Sequence, residues 1–430
     1  MNKPRIQLIN PPSDCVVDDR KEPHLGLLYI ASTLREKGYD NIIFYDMTGS
    51  VNQKNINSKI SNIPDADIYG ISCMSTNYIY SKNIISHIKK NNPNAYIVSG
   101  GPHPSAMPEL MLNDAGVDSI IIGEGEDAFC DLVDAYMKDN PVFGIVNGKY
   151  RKDIDSYAFP ARDFVDLSSY SRKLLGKPTV SIISSRGCMY RCIHCNSNIM
   201  GGGSSNVRYR HSDNIIAEIK QLNNTFSSFR FNDDHFTGNP SLELLLRKLS
   251  ELKIKFRIFA RIEDLNEKIC KLLHEAGCVH VTVGLESLNP DNLKVISKGK
   301  QSGKEGNIIN AHRYGLIVRA SFIVGLPFDN DKTVEYYFSK ASDLGIDEYS
   351  VYPLIPYPGT MLWSNPEKYG YDIINKNFTD YIQLGKNKQT CYALRHRNFG
   401  PIDVKRWLVK ATEILENGTA KHISKSCIAQ

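Results

Sequence analysis

The chain has 430 residues, more than one hydrophobic core of about 250–300 residues fills, so two or three domains are expected. Apolar residues make up 41% and charged residues 23%, which excludes a disordered chain. The 52 Lys and Arg against 47 Asp and Glu leave a net charge of only +5, too slight to mark a nucleic-acid binder. No run approaches the ~18 apolar residues of a membrane span, and the opening MNKPRIQLIN reads as a strand and not a signal peptide, so a reducing cytoplasm is expected.

In the first third, short apolar runs alternate with helical patterns. RIQLIN, NIIFYD, DIYGIS, AYIVSGG and SIIIGEG read as strands, and GLLYIASTLREKG, NYIYSKNIISHIKK and PELMLNDAG as helices between them. Continuously apolar strands separated by helices imply a parallel sheet covered on both faces, a doubly wound Rossmann-like α/β domain over residues 1–140. Its ligand belongs at the carboxyl ends of the strands. A linker over 141–175 follows, where Asn147-Gly148 predicts a two-residue hairpin and DIDSYAFPARDF reads as polar connection.

The βα rhythm then resumes. TVSIISS, SFRFND, KFRIFARI, HVTVGLES, IVRASFIVGLP and EYSVYPLIP are six strand candidates, which predicts a partial (β/α)6 TIM-like barrel over 176–365 with its chemistry at the C-terminal rim. Residues 366–430 read as a helical C-terminal region. Trp363, Tyr369, Tyr381, Tyr392 and Arg395 are candidate lining residues for a substrate, and the Lys298, Lys300, Lys304 run reads as a solvated face.

Of the ten cysteines, Cys15, Cys73, Cys130, Cys270, Cys278, Cys391 and Cys427 stand singly. Cys188, Cys192 and Cys195 crowd as C-x3-C-x2-C directly after the first barrel strand. Three thiolates on one loop suit three irons of a 4Fe–4S cube, leaving the fourth iron open for a chelating substrate. The competing reading is a Cys3His zinc site completed by His194.

This loop, opening a six-unit βα array, resembles the radical S-adenosylmethionine (SAM) enzymes, whose signature is C-x3-C-x-aromatic-C. The resemblance implies cluster ligation by Cys188, Cys192 and Cys195, with His194 in the slot near the adenine. By the same resemblance, Asp233 and Asp234 become candidates for the methionyl amino group, and Arg261 for a basic cofactor contact. Glu286 and Ser287 fall where the family reaches the ribose, and Ile323 and Gly325 where it reaches the adenine. A SAM bound to the open iron would be cleaved by one electron to a 5′-deoxyadenosyl radical.

The leading α/β domain resembles that of the cobalamin-binding subgroup. Matching pieces carry Asn10, Pro11, Ser72, Gly100, Gly101, His103, Pro104, Ser105, Gly123 and Glu124. Gly100, Gly101 and Gly123 would let the backbone lie against a large ligand, Pro104 and Ser105 would open a helix toward the nucleotide tail, and His103 would touch that tail. Cys73 and Met74 fall on the loop that would face the lower side of the corrin. The string Asp233-x-His235-x-x-Gly238 imitates a cobalt-ligating motif but lies in the wrong domain, and His24 reads as a solvated loop residue.

The implied activity is a cobalamin-dependent radical SAM methyltransferase acting on an unactivated carbon, or on phosphorus, of a small-molecule or peptide-like substrate. It would draw electrons from a donor such as flavodoxin or ferredoxin. The alternatives are a radical cyclase or rearrangement enzyme and, from another class, a non-catalytic iron–sulfur or corrinoid carrier.

Overall fold

Six strands build the first sheet: Ile6–Asn10 (β1), Ile42–Asp46 (β2), Ile68–Ser72 (β3), Tyr96–Gly100 (β4), Ser119–Ile122 (β5) and Gly144–Asn147 (β6). Their order is β2-β1-β3-β4-β5-β6, parallel throughout. In this computed structural model residues 3–13, 18–50, 55–299, 304–381 and 390–417 are described, so Cys15, Cys427 and Lys300 lie outside the described residues. β1 and β3 are buried at every position, as expected of strands covered on both faces by helices such as Leu25–Glu36, Tyr78–Asn91 and Glu126–Met137. The chain passes from β1 to β2 on one side and returns to β3 on the other. That reversal is the switch point where a doubly wound sheet opens its ligand crevice.

The Asn147-Gly148 hairpin does not form. β6 instead adds to the sheet edge parallel to β5, and the Gly148 amide donates to the Ile122 carbonyl at 2.7 Å. The glycine is needed for close approach: a Cβ there would lie 2.2 Å from the Glu124 carbonyl oxygen. The hairpin of this region lies further on, where Lys173–Leu174 (β7) pairs antiparallel with Lys177–Ile182 (β8). Its turn is Leu175-Gly176, with both φ values positive at 50° and 78°, as the tightest hairpin turns require.

Chain contacts divide the protein into two units. The first comprises Met1–Ser171, Asn196–Ser205 and Asn377–Asn387, and the second Arg172–Cys195, Asn206–Lys376 and Lys388–Gln430. Much of the expected linker is therefore packed into the first unit. The Ala161 amide bonds the Leu28 carbonyl at 3.1 Å, Arg35 pairs with Asp163 at 2.6 Å, and Ile154, Tyr157 and Ala161 are buried.

In the second unit the seven-stranded sheet runs β15-β14-β13-β12-β11-β8-β7. After β8 come the short pair Ser185–Arg186 (β9) and Arg208–Tyr209 (β10), then Ser228–Phe231 (β11), Lys255–Ala260 (β12), Cys278–Glu286 (β13), Ile317–Val324 (β14) and Glu348–Pro353 (β15). β8 and β11 through β15 are the six parallel strands of a partial barrel. On β14 alternate residues Val318, Ala320, Phe322 and Val324 are buried, and Phe322 meets Phe338 of the helix Asp331–Ser342 at 5.3 Å, so the helices cover that face. The C-terminal region ends in the helix Pro401–Asn417, but an antiparallel ribbon precedes it, Tyr371–Ile373 (β16) with Leu394–His396 (β17). No helix among the described residues is long and apolar enough to cross a membrane.

Candidate functional site

The cysteine loop leaves the rim of the half-barrel and is pinned at both ends. At its entry, Asp233 accepts from the Ser184 amide at 2.8 Å, the Ser184 hydroxyl at 3.0 Å and the Ser185 hydroxyl at 2.7 Å, and also from the Ser185 amide. Burial pushes this carboxyl up to about 6, against the pull of those donors. At its exit Ile193 is buried among Leu293, Ile296, Leu326 and Leu362; its amide bonds the Ile296 carbonyl at 3.2 Å and its carbonyl accepts from Leu362 at 3.0 Å. Between these anchors Cys188 and Cys192 are half-buried, and Cys195, two residues past Ile193, is exposed. Burial pushes the Cys188 thiol up to about 11, and it raises Cys192 while Lys298 and Arg261 pull the other way. Ligation to a metal would remove those protons.

The donor set fits a cluster better than a single ion. The three sulfurs and the His194 ring nitrogens do not gather within 4.8 Å of one another among the described residues, whereas tetrahedral zinc holds sulfurs about 3.8 Å apart. A cube takes each thiolate on a different iron and spreads them. His194 is half-buried beside Glu286 and Lys298, with its Nδ1 enclosed and unpaired.

Several expected SAM contacts are engaged within the protein. Asp233 is saturated by the loop it anchors and is not free for an ammonium; its exposed neighbour Asp234, close enough to Cys188 to act on its charge, is the carboxylate that faces outward. Arg261 lies 3.9 Å over the Tyr190 ring, inside the cysteine loop, and bonds Glu263 at 2.6 Å and the Lys298 carbonyl at 2.5 Å. Tyr190 also meets His235 edge-on at 5.4 Å, and His235 bonds Asp264 at 2.6 Å, so the motif-like histidine buttresses the loop.

Glu286 ends β13 in the left-handed region at φ 60°, a strained conformation for a residue other than glycine, with Lys298 at 3.2 Å. Lys298 is thus nearly buried and not part of a solvated face. The Ser287 hydroxyl accepts from the Asn289 amide at 3.1 Å. Ile323 packs beside the apolar cluster under the loop. Gly325, at φ 86°, makes its close approach to Val404 of the C-terminal helix, 3.1 Å from a would-be Cβ, and not to an open face. Asp329 holds this turn, accepting from the Gly325 and Leu326 amides at 2.9 Å and from Asn292 at 2.7 Å; sequence reasoning missed it because nothing local distinguishes it from a helix-start acid.

In the first unit the expected ligand residues mostly hold one another. Asn10 bonds Asp46 at 3.0 Å, Pro11 is buried, and the Ser72 hydroxyl meets His24 at 2.8 Å. His24 is therefore not a solvated residue: its Nδ1 accepts from the Leu27 amide at 3.2 Å and caps the helix Leu25–Glu36. Gly100 is unconstrained, but Gly101, at φ 109°, faces the Cys73 carbonyl 2.9 Å from a would-be Cβ. Gly123 leaves room for the Tyr150 hydroxyl, which a Cβ would meet at 2.0 Å, so both glycines answer to protein neighbours.

The helix after β4 opens at Pro102, not at Pro104 and Ser105, and the Ser105 hydroxyl accepts from the Gly123 amide at 2.9 Å. His103 is fully buried between Tyr78 at 4.8 Å and Phe378 at 5.0 Å, with Ser75 at 3.0 Å from its Nδ1 and its Nε2 enclosed without a hydrogen-bond partner. Glu124 is buried. Cys73 is buried, with burial raising its thiol to about 12, whereas Met74 is 40% exposed, so of this pair only the thioether is presented at the strand end. Tyr381 is buried in the first unit, while Trp363, Tyr369, Tyr392 and Arg395 belong to the second.

Comparison with known proteins decides the family. Residues 17–133 match the B12 binding domain and residues 182–341 the Radical SAM superfamily. An uncharacterized methyltransferase of Pyrococcus horikoshii is 33% identical over 84% of this chain and 82% of its own length. The chain belongs to the cobalamin-binding radical SAM enzymes. As a member, it takes an iron–sulfur cluster, SAM and cobalamin.

Other relatives of this radical SAM enzyme are more distant. An anaerobic magnesium-protoporphyrin IX monomethyl ester cyclase of Cereibacter sphaeroides is 25% identical over 79% of the chain, which spans 60% of the cyclase's length. The fold matches the radical SAM methyltransferase TsrM of Kitasatospora setae, solved with cobalamin and a 4Fe–4S cluster bound, at a TM-score of 0.72 and 17% identity, covering 97% of this chain and 92% of that one.

Proposed function

We propose that this radical SAM enzyme transfers a methyl group to an unactivated carbon, or to phosphorus, of a small-molecule or peptide-like substrate. The observation that carries the reading is the 33% identity, along most of both chains, to a protein named as a methyltransferase. When bound, the cluster supplies the electron that cleaves SAM reductively, and cobalamin supplies a carrier for a methyl group. The chain's own part is to hold and orient these groups. Cys188, Cys192 and Cys195 would hold three irons, with Tyr190, braced by Arg261 and His235, keeping the loop in place. Asp234 would meet the methionyl ammonium, Glu286 and Ser287 the ribose, and His194 and Ile323 the adenine.

In the first unit, the crevice between the ends of β1 and β3, with Met74 beside it, would take the corrin. A reducing compartment and an electron donor of the flavodoxin or ferredoxin kind complete the proposal. The test is anaerobic reconstitution with dithionite and SAM carrying a labelled methyl group. Formation of 5′-deoxyadenosine together with S-adenosylhomocysteine is expected, with label in the product when substrate is supplied. Deoxyadenosine without S-adenosylhomocysteine or labelled product would instead favour cyclisation, the reading to which the cyclase relatives point.

A further inference from the structure

The family matches end at residue 341, so the ribbon of β16 and β17 and the helix Pro401–Asn417 lie outside them. One residue of that ribbon reaches back into the matched barrel. The buried Tyr371 hydroxyl donates to the Gly325 carbonyl at 2.6 Å. Burial, with the Asp329 charge beside it, raises this phenol well above its ordinary range and keeps it a donor.

Gly325 opens the turn that follows β14, and both of its polar backbone groups are committed. Its amide donates to Asp329 at 2.9 Å and its carbonyl accepts from Tyr371, while Val404 closes the side where a Cβ would stand. The turn is thus held on three sides, two of them by the C-terminal region.

The same contacts tie the turn to the cysteine loop. Asn292, buried in the helix Pro290–Val295, donates its amide to Asp329 at 2.7 Å and accepts from the Phe328 amide at 2.9 Å. Ile296, the residue after that helix, gives its carbonyl to the Ile193 amide. Tyr371, Leu326 and Ile193 share one apolar cluster, and Ile323 packs against it. Tyr371 in turn meets its register partner His396 ring to ring at 4.8 Å, and Phe399 at 6.4 Å. Phe399 packs on Trp407 at 4.9 Å, and the Trp407 Nε1 donates at 2.6 Å to Asp331, which begins the helix after the turn. A phenylalanine at 371 would fill the same apolar space, so what the hydroxyl adds is the fixed place of one carbonyl.

We propose that Tyr371 is a positioning residue for SAM: it fixes the adenine-bearing turn relative to the cysteine loop, which makes the C-terminal ribbon part of the SAM site. The inference rests on the reading that seats the adenine at Ile323 and Gly325, and its test needs no turnover. Equilibrium dialysis of the reconstituted holoenzyme is run with SAM, with 5′-deoxyadenosine and with methionine, the last two standing for the separate halves of the cofactor.

Tyr371→Phe should weaken SAM and 5′-deoxyadenosine about fivefold, the equivalent of one neutral hydrogen bond, and leave methionine unchanged. Asp329→Asn should weaken the same two about tenfold, since its bonds to the turn are charge-assisted. Tyr69→Phe in the first unit removes a hydroxyl as deeply buried, bonded to the Ala66 amide at 2.8 Å, and should leave all three affinities alone. Unchanged affinities in Tyr371→Phe, or an equal loss for all three ligands, overturn the proposal. Ile323→Ala separates this inference from the reading beneath it. If that variant weakens 5′-deoxyadenosine and Tyr371→Phe does not, the positioning role fails alone; if it leaves 5′-deoxyadenosine unchanged, the adenine reading falls and the role of Tyr371 with it. Should Asp329→Asn fail to fold, Tyr371→Phe, which keeps the ring, still decides.

Discussion

The two units treat their strand ends in opposite ways. At the rim of the half-barrel, side chains with chemistry are presented: Cys195 is exposed and Cys188 and Cys192 half-buried on a loop held through Asp233, Tyr190 and Ile193, and Asp234 is exposed just after β11. At the ends of the six-stranded sheet, polar and glycine residues are mostly spent on one another, Ser105 on Gly123, Gly101 against Cys73, His24 on Ser72. The difference is physical. A metal cluster needs donors that reach the surface of a held loop, whereas a crevice for a large flat ligand needs walls, and walls are made stiff by internal hydrogen bonds.

The sharpest break of that comparison comes from the thiols. Replacing Cys188, Cys192 or Cys195 by alanine should abolish both iron retention and 5′-deoxyadenosine formation, read by iron assay and chromatography. Cys73→Ala, at a buried thiol, should leave both intact.

Next in size is Gly148→Ala. A Cβ would sit 2.2 and 2.7 Å from the carbonyl oxygens of Glu124 and Ile122, so β6 must separate from β5. A loss of about 3 kcal/mol in denaturant unfolding is expected, against about 1 kcal/mol for a mere turn glycine.

The wall should also show in acid. Burial holds His103 down at about 4 from an ordinary 6.5, so between those values the unfolded chain binds the proton first. Stability is then full above about pH 6.5 and falls as pH drops toward 4, by roughly 3 kcal/mol. His103→Gln should flatten this limb in a series of unfolding midpoints against pH; an unchanged slope would place the acid sensitivity elsewhere. Smallest is His24→Ala, which removes the cap on Leu27 and the bond to Ser72 and should cost about 1 kcal/mol in the same assay.

The alternation of apolar runs and helical spacing was enough to read both sheets, because continuous burial leaves its mark on every residue of a central strand. The cysteine spacing likewise singled out one loop, and that loop lies at the rim of the half-barrel. Hairpin and glycine readings fared worse. Asn147-Gly148 has the composition of a turn, yet its glycine answers to the Ile122 and Glu124 carbonyls, and Leu175-Gly176, with a poorer turn signature, makes the real hairpin.

By itself the sequence determined the fold class and the order of the two family regions, since these follow from periodicity and local spacing. Only the tertiary structure decided that Asp233 holds a loop while Asp234 faces outward, that Gly325 yields to Val404, and that Tyr371 reaches back to Gly325. Each of those depends on which distant residue arrives as neighbour, and packing across the fold sets that, not the chain on either side.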